Sequence, residues 1–483
     1  MIKSKTLSKV LAMVLCVMML ISVIPMSVFA SIENYNKDYQ SETHTVFKHT
    51  EQTLAPGVTN YTNYAYANDG KQMVYYVTTA DLTRDDVVAQ VAYKDMQNDV
   101  YGMDKLSNMV ACANEKYSDP TNPEFISEYY TVVSACNGDG YNMTTGEPSG
   151  VFIMGGNVKK DWNKSSNPVF LAILNDGKAV IDNTQEAWDA CKEAGIQEAI
   201  DVFGSTLVWD GKDVTANASG SYNTDRHSRT MVGITADGKL VICVLDGRQE
   251  PFSCGGTMHE LAQIMLEAGC WRAFNLDGGG STTFMAKNEG SNECTIQNRP
   301  SDGSERSISN GIIIASTAVP SNVFDHVSMV AEDEYLTVGS STNVTVTGVS
   351  PAGTAAEIPA GVTYEVVNGT YADGILTASA VGDVVLTAKF NGNSVGSVTV
   401  HCVVPEAVRF AADTITVPYG KTATLEMIAT YGLNEVVTNA SNFAFTLENE
   451  AAGTISGLSF TACEEAAGVT GTTITAQFAG SEL

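Results

Sequence analysis

The spacing of apolar residues changes along the chain, and each change marks an expected element. The run 73–78 (MVYYVT) is β-branched and aromatic and predicts a strand. Runs 87–93 and 130–135 predict two more, the second followed by a Gly/Asn/Asp loop. Two stretches take the helical period. In 183–194, Glu186 lies three residues after Asn183, and Gly195 gives a stop signal. In 257–268, Thr257 and Glu260 have capping-box spacing, while Leu261, Ile264, Met265 and Ala268 share one face. Runs 231–235 and 239–245 flank Ala236-Asp237-Gly238 and predict a hairpin. Its second strand runs into Asp246, and a short strand at 271–276 runs into Asp277, so both deliver an aspartate at their C-terminal ends. A last apolar strand is expected at 309–315. These elements predict an α/β (mixed α+β) domain with a mixed sheet over 53–317.

Beyond 317, Val, Thr, Ala and Gly dominate, and turn signals recur about every 8–12 residues, the pattern of an all-β sandwich. Two modules are expected, 322–404 and 405–483, each opening with an extended segment and a turn (Val338-Gly339-Ser340; Tyr419-Gly420-Lys421). They resemble bacterial Ig-like modules of surface proteins. Residues 476–483 stop in or just after a strand, so the second module is expected to lack its last strand.

The chain start sets the compartment. Lys3, Lys5 and Lys9 precede an apolar run, and Val28-Phe29-Ala30 ends in a small residue. Residues 1–30 are therefore expected to be a secretory signal peptide, and the polar stretch 31–52 a linker. No other stretch is long and apolar enough to span a membrane. A secreted, extracellular or cell-surface protein follows, and 483 residues allow two to four domains. The net charge of −28 becomes more negative still once three lysines leave with the signal. Such a field repels nucleic acid and anionic membrane, and admits a phosphate-bearing ligand only where cations gather locally. Of ten cysteines, Cys16 leaves with the signal and an odd number remains. None shows CxxC or zinc spacing, and most are expected to be small buried residues.

The densest candidate chemistry lies in 275–283, NLDGGGSTT. Gly278, Gly279 and Gly280 carry no Cβ, so backbone N–H groups there could approach an anion, with Ser281 and Thr282 adding hydroxyls. Arg229 and Arg248 are permanent forked cations suited to phosphate oxygens. Cleavage of a glycosyl bond needs carboxylates, and Asp277, Glu260 and Asp246 are the candidates. Each has a plainer reading: Asp-Gly starts turns, Glu260 caps a helix, and His259 fits a helix surface.

Five motifs occur in order: Ser228-Arg229-Thr230-Met231-Val232-Gly233, Asp246-Gly247-Arg248, 257–261, 275–283, and Asn298-Arg299-Pro300-Ser301-Asp302-Gly303 followed by Glu305-Arg306 and Ser309-Asn310. With Ala55-Pro56-Gly57 and Asn137-Gly138-Asp139 upstream, they resemble the phosphodiester glycosidase family over 53–317. The resemblance implies a secreted hydrolase that cleaves sugar-1-phosphodiester linkages and releases a sugar such as N-acetylglucosamine. Its partner would be a phosphorylated glycan of cell wall or exopolysaccharide. Catalysis would fall to Asp277, Glu260 and Asp246. Arg229, Arg248, Gly278, Gly279, Gly280, Ser281, Thr282, Asn137, Asp139 and Asn298 would bind substrate and phosphate. Gly140-Tyr141 stands where the family usually carries two bulky aromatics, and Cys136 before Asn137 is also unusual, so the sugar pocket is expected to differ. No cofactor is demanded, although the Asp and Asn loops have the oxygen ligands that Ca²⁺ or Mg²⁺ takes. A non-catalytic glycan-binding surface protein and a plain glycoside hydrolase indifferent to phosphate are the competing readings.

Overall fold

The computed structural model describes residues 39–97, 100–165, 168–201, 204–432 and 434–483, so the expected signal peptide lies outside it. In chain order the first elements are β1 (His44–Ala55), β2 (Val58–Ala67), β3 (Gln72–Ala80), β4 (Val87–Tyr93), α1 (Leu106–Ser118) and β5 (Thr131–Asn137). Next come β6 (Phe152–Met154), β7 (Asn157–Lys160), β8 (Phe170–Leu174), β9 (Ala179–Asp182), α2 (Gln185–Ala194) and β10 (Ile196–Asp201). Then follow β11 (Thr206–Trp209), β12 (Lys212–Asp213), β13 (Arg229–Thr235), β14 (Leu240–Leu245), α3 (Met258–Glu267) and β15 (Cys270–Asn275). The last are β16 (Phe284–Lys287), β17 (Cys294–Ile296) and β18 (Asn310–Ser316).

Strands dominate, rather than the balance of helix and sheet that the sequence suggested. One sheet has eight strands in the order β1-β2-β3-β14-β13-β15-β11-β12; two have five, β17-β16-β5-β18-β4 and β7-β6-β10-β8-β9. The pairings of all three are antiparallel, where a mixed sheet was expected. Short turns such as 56–57 and 236–239 reverse the chain, and tight reversals can join only antiparallel neighbours. One apolar cluster draws on all three sheets, with Tyr76, Val133, Ile200, Val232, Phe274 and Phe284 among its members. On the other face of the large sheet, Leu261, Ile264 and Met265 of α3 pack against Met231, Cys243 and Leu245.

The path from β14 through α3 to β15 places the site. β14 and β15 both pair antiparallel with β13, one on each side, so they run in the same direction. Asp246 and Asp277, just beyond their C-terminal ends, therefore leave the sheet at one edge. Arg229, at the start of β13 and paired with Leu245, sits at that edge too. β5 ends beside the start of β18, with Asn137 opposite Gly311, and brings 137–139 there as well.

Local signals were legible where the chemistry is local. Thr257 Oγ1 accepts from Glu260 N at 3.3 Å, and Glu260 Oε2 accepts from Thr257 N at 2.8 Å, so the capping box is formed. Helix α2 is capped by Thr184 rather than Asn183, through Ala187 N. The expected linker is corrected over 44–52: these residues form most of β1, at the edge of the large sheet. Its Lys, Glu, His and Thr side chains look like linker composition, yet they are what an exposed edge strand carries. Residues 326–402 form two four-stranded sheets around Leu336, Val344, Leu376, Leu386 and Val400. Residues 407–478 form smaller sheets, and Ile474–Phe478 pairs with Phe443–Leu447. All nine described cysteines are free, and six are buried. Among the described residues no helix is long and apolar enough to cross a membrane.

Thr257→Ala should cost about 1 kcal/mol, because it leaves the Glu260 amide without its cap acceptor. A thermal melt should show a drop of a few degrees, and an unchanged midpoint would remove the cap from the stability argument.

Candidate active site

Three of the expected site residues prove to be fasteners. Asn137 Nδ2 donates to the Asp277 carbonyl at 2.8 Å, while its Oδ1 accepts from Thr283 N at 3.1 Å and Thr230 Oγ1 at 2.5 Å. The side chain thus rivets β5, β13 and the glycine loop, and its hydrogen-bonding groups are spent on the protein. Asn298 Nδ2 donates to Asp246 Oδ1 at 3.0 Å and to the Thr282 carbonyl at 3.3 Å, and its Oδ1 accepts from Phe284 N at 2.8 Å. Asp246 is fully buried; its second oxygen accepts from Tyr76 Oη at 3.2 Å and Arg299 N at 2.9 Å. Burial pushes its carboxyl up to about 6 against these donors. With both oxygens engaged, Asp246 ties β3, β14 and the 298–299 segment together.

Glu260 is also committed elsewhere. It closes the α3 capping box and takes a forked ion pair from Arg226, whose Nη1 also reaches Asp69 at 2.8 Å. Asp246 and Glu260, both expected as catalytic carboxylates, thus have their oxygens engaged by protein donors in this structure. His259 pairs with Asp213 at 2.6 Å, off the site.

The glycine loop works differently from expectation. Its amides are largely spent internally: Gly278 N donates to Asp277 Oδ1 at 2.8 Å, Gly279 N to the Ser228 carbonyl at 2.8 Å, and Ser281 and Thr282 N to the carbonyls of Gly278 and Gly279. They do not form an anion nest. What the missing Cβ atoms admit is arginine and backbone. A Cβ on Gly279 would lie 3.2 Å from both Nη atoms of Arg248, and one on Gly280 2.0 Å from Arg306 Nη2, while one on Gly278 would meet the Ser228 carbonyl at 2.8 Å. Two of the glycines thus let the guanidinium groups of Arg248 and Arg306 lie against the loop, and the third lets the Ser228 backbone approach.

Arg306, Arg229 and Arg248 differ in what balances them. Arg306 is paired with Asp302, through Nε at 3.0 Å and Nη2 at 2.5 Å. Arg229 is buried and donates from Nη2 to the carbonyls of Tyr222 (2.8 Å) and Asp225 (3.3 Å), with the Tyr222 ring 5.1 Å away. Among the described residues it has no carboxylate partner, and its Nε has no hydrogen-bond partner. Its charge is disfavoured first by burial and further by nearby Arg248. Arg248 is exposed, donates from Nε to His227 Nδ1 at 3.1 Å, and holds a left-handed backbone at φ 62°. Burial, then Arg248 and Arg229, hold His227 below its ordinary value, which suits it as a neutral acceptor.

Facing these cations is an acidic side. Burial raises the Asp277 carboxyl, and the Ser281 hydroxyl, the Gly278 amide and Arg306 oppose the rise. Asp139 is buried; its Oδ2 accepts from Gly150 N at 3.3 Å, and its Oδ1 has no hydrogen-bond partner among the described residues. At the end of β10, Asp201 approaches the same Gly150, whose Cβ would lie 2.0 Å from the Asp201 carboxyl carbon. Burial first, then the charges of Asp201 and Asp277, hold the Asp139 carboxyl well above the usual range. Asp139 thus groups with Asp201 and Asp277 rather than with the arginines. Asp201 was missed by sequence reasoning, although it ends a strand as the residues before Asp246 and Asp277 do.

Tyr141 and Tyr222 complete the site: the charge of Asp277 reaches both hydroxyls, and Tyr141 lies near Ser281 and Arg306. Thr282 Oγ1 is buried without a hydrogen-bond partner. Among the described residues no three His, Cys, Asp or Glu side chains are grouped to hold a metal ion.

The segment holding Asp139, Asp201, Asp277 and all three arginines matches a family model. Residues 130–315 fit the model described as phosphodiester glycosidase, and the chain carries a domain of that family. Over 215 residues it is 30% identical to the SPbeta prophage-derived uncharacterized protein YomE of Bacillus subtilis (strain 168), covering 42% of this chain and 32% of the relative. Over 184 residues it is 29% identical to N-acetylglucosamine-1-phosphodiester alpha-N-acetylglucosaminidase of Bos taurus, covering 35% and 32%. The chain thus spans about a third of the length of these curated relatives. Among solved structures, the zebrafish N-acetylglucosamine-1-phosphodiester alpha-N-acetylglucosaminidase catalytic domain, auto-inhibited by its pro-peptide, aligns with 56% of this chain and 88% of its own. The TM-score is 0.40 at 18% identity.

Asp246→Asn should destabilise by about 1–3 kcal/mol, because an amide nitrogen would face donors that now meet a carboxylate oxygen. The expected readout is a lower melting temperature at pH 7. A variant as stable as the parent would mean that Asp246 does not fasten the site.

Proposed function

We propose that this domain hydrolyses sugar-1-phosphodiester linkages in a phosphoglycan outside the cell. The observation that carries the reading is a set of buried polar atoms that lack a hydrogen-bond partner among the described residues: Asp139 Oδ1, Arg229 Nε and Thr282 Oγ1. Leaving such a group unsatisfied costs about 1–3 kcal/mol, a cost that a polar ligand would relieve. The ligand must suit guanidinium groups on one side and carboxyl groups on the other, as a phosphate ester of a sugar does.

In this reading Arg229 and Arg248 hold the phosphate, with Arg306 assisting against Asp302. They stabilise the charge that gathers on the phosphate as its bond to C1 breaks. Asp277 acts at C1, as nucleophile or as the base that activates water, where positive charge develops in an oxocarbenium-like transition state. Phosphate is already a good leaving group, so the cations carry more of the work than a strong acid would. Tyr141 and Tyr222 border the sugar. The name of the bovine relative makes N-acetylglucosamine the first sugar to test. The signal peptide, a wall or exopolysaccharide substrate, and Ig-like display by the C-terminal sheets belong to the same proposal.

The test compares a soluble N-acetylglucosamine-1-phosphodiester with the corresponding plain glycoside. Release of sugar from the first alone is expected, and equal cleavage of both would favour an ordinary glycoside hydrolase. Asp277→Asn keeps an oxygen for the Gly278 amide, so its melting temperature should hold while kcat falls by at least about 10²–10³-fold. Full activity in that variant would falsify the assignment.

Arg248→Gly tests the phosphate grip separately. Glycine relieves the left-handed backbone, so the melting temperature should stay level or rise. KM for the phosphodiester should rise about tenfold or more, as expected for losing a bond between charged groups. An unchanged KM would take Arg248 out of the binding site.

A further inference from the structure

We propose that Asp201 is a positioning residue that keeps Asp139 in its neutral acid form, so that the Asp139 carboxyl donates a hydrogen bond to the anionic substrate instead of repelling it. The inference rests on the phosphodiester reading and deepens it.

The geometry begins with Gly150. Its amide donates to Asp139 Oδ2 at 3.3 Å, and the space its side chain would fill is taken by the Asp201 carboxyl, 2.0–2.3 Å from the Cβ position. No other residue type leaves room for both contacts. Two carboxyl groups thus meet across one glycine, in a region where both are buried. Asp277 adds a third negative charge from the glycine loop. The groups acting on Asp139 in the other direction are the amides of Gly150 and Gly140, and no cation forms an ion pair with Asp139 among the described residues. From β18, Asn310 Oδ1 accepts from the Asp139 backbone amide at 2.8 Å and adds no charge.

Like charges held this close, away from water, cannot both ionise cheaply, and one retained proton is the relief. Burial and the Asp201 charge both push the Asp139 carboxyl well above its ordinary range, which favours the proton on Asp139. Asp139 Oδ1, which has no hydrogen-bond partner among the described residues, is then placed to carry it as a donor. A phosphodiester brings its own negative charge into the site. An ionised Asp139 would oppose it, whereas a neutral carboxyl can bond to it. A carboxylic acid kept neutral so that it can donate is an established device for binding developing or fixed anions. The proton is held, not transferred, so the reaction's atom balance is unchanged: water enters, and a sugar and a phosphomonoester leave.

The experiment measures kcat/KM against pH on the soluble N-acetylglucosamine-1-phosphodiester, for the full chain and for Asp201→Asn and Asp139→Asn. The parent should lose activity on the alkaline side as Asp139 ionises. Asp201→Asn removes the neighbouring charge and should move that alkaline limb down by about one pH unit or more. Asp139→Asn, a permanently neutral donor, should have lower peak activity and lack the limb. A limb unmoved in Asp201→Asn, or still present in Asp139→Asn, overturns the proposal.

A second readout needs no turnover. For an acid whose folded value is raised, the stability it contributes is complete below the ordinary carboxylate value, about 4. That stability is lost as pH rises through the folded value. Melting temperature followed from pH 4 to pH 9 should therefore fall less steeply in Asp201→Asn than in the parent, with the Asp139 contribution absent in Asp139→Asn. If the parent cleaves no sugar-1-phosphodiester, the functional reading fails while this series still judges the pair. Identical slopes in all three proteins would overturn the pair itself.

Discussion

The placement of β13 between β14 and β15 is the constraint on which the site depends. Because β13 is antiparallel to both neighbours, β14 and β15 run alike and must each end at the same edge. α3 makes that arrangement possible by carrying the chain from the end of one strand to the start of the other. Its apolar face, buried against Met231, Cys243 and Leu245, fixes the crossover to the sheet. Asp246, Asp277 and Arg229 meet because of this pairing, not because of any attraction among themselves. The five-stranded sheet that contains β5 adds 137–139, and Asn137 locks it to the large sheet through Thr230 and the Asp277 carbonyl.

Two strand ends that look equivalent then take opposite tasks. At Asp246 both carboxylate oxygens are filled by donors from β3 and the 298–299 segment, so the group is a cross-link. The Asp277 carboxylate accepts from the next amide and lies near the Ser281 hydroxyl, and the residue stays partly exposed. The difference comes from what lies above each strand. Asp246 is roofed by Asn298 and Arg299, whereas the glycines after Asp277 leave space that Arg248 and Arg306 occupy. A strongly acidic protein thereby gathers positive charge at one loop, where a net field of the other sign would otherwise turn a phosphate away.

What could be read from the sequence was whatever depends on near neighbours. The capping box, the hairpin at 231–245 and the strand-end positions of Asp246 and Asp277 follow from spacing within a few residues. For Glu260 the capping signal was legible, while its ion pair with Arg226, 34 residues away, was not. The glycine loop was read as an amide cradle because glycine says that something comes close without saying what. Direction is set by Ser228, whose carbonyl claims the Gly279 amide from another strand. Asp201 gave no signal, since its meeting with Asp139 spans two sheets and requires Gly150 between them. Residues 44–52 were mistaken for a linker because an edge strand with one solvent-facing side has linker composition.

Several unfavourable features of this domain gather near one loop. Among the described residues they are a buried arginine without a carboxylate partner, a left-handed arginine backbone, two carboxyl groups crowded across a glycine, and buried polar atoms without hydrogen-bond partners. Each opposes folding by an amount comparable to a single stabilising contact, and marginal stability leaves little room for several at once. Their concentration is what a binding site requires, because groups satisfied within the protein, as Asn137, Asn298 and Asp246 are, have nothing left to offer a ligand. The fasteners and the strained groups are two halves of one arrangement. The saturated asparagines and Asp246 hold the loop rigid enough that the unsatisfied ones cannot collapse onto each other, and that rigidity keeps cations and carboxyl groups on separate sides of Asp277.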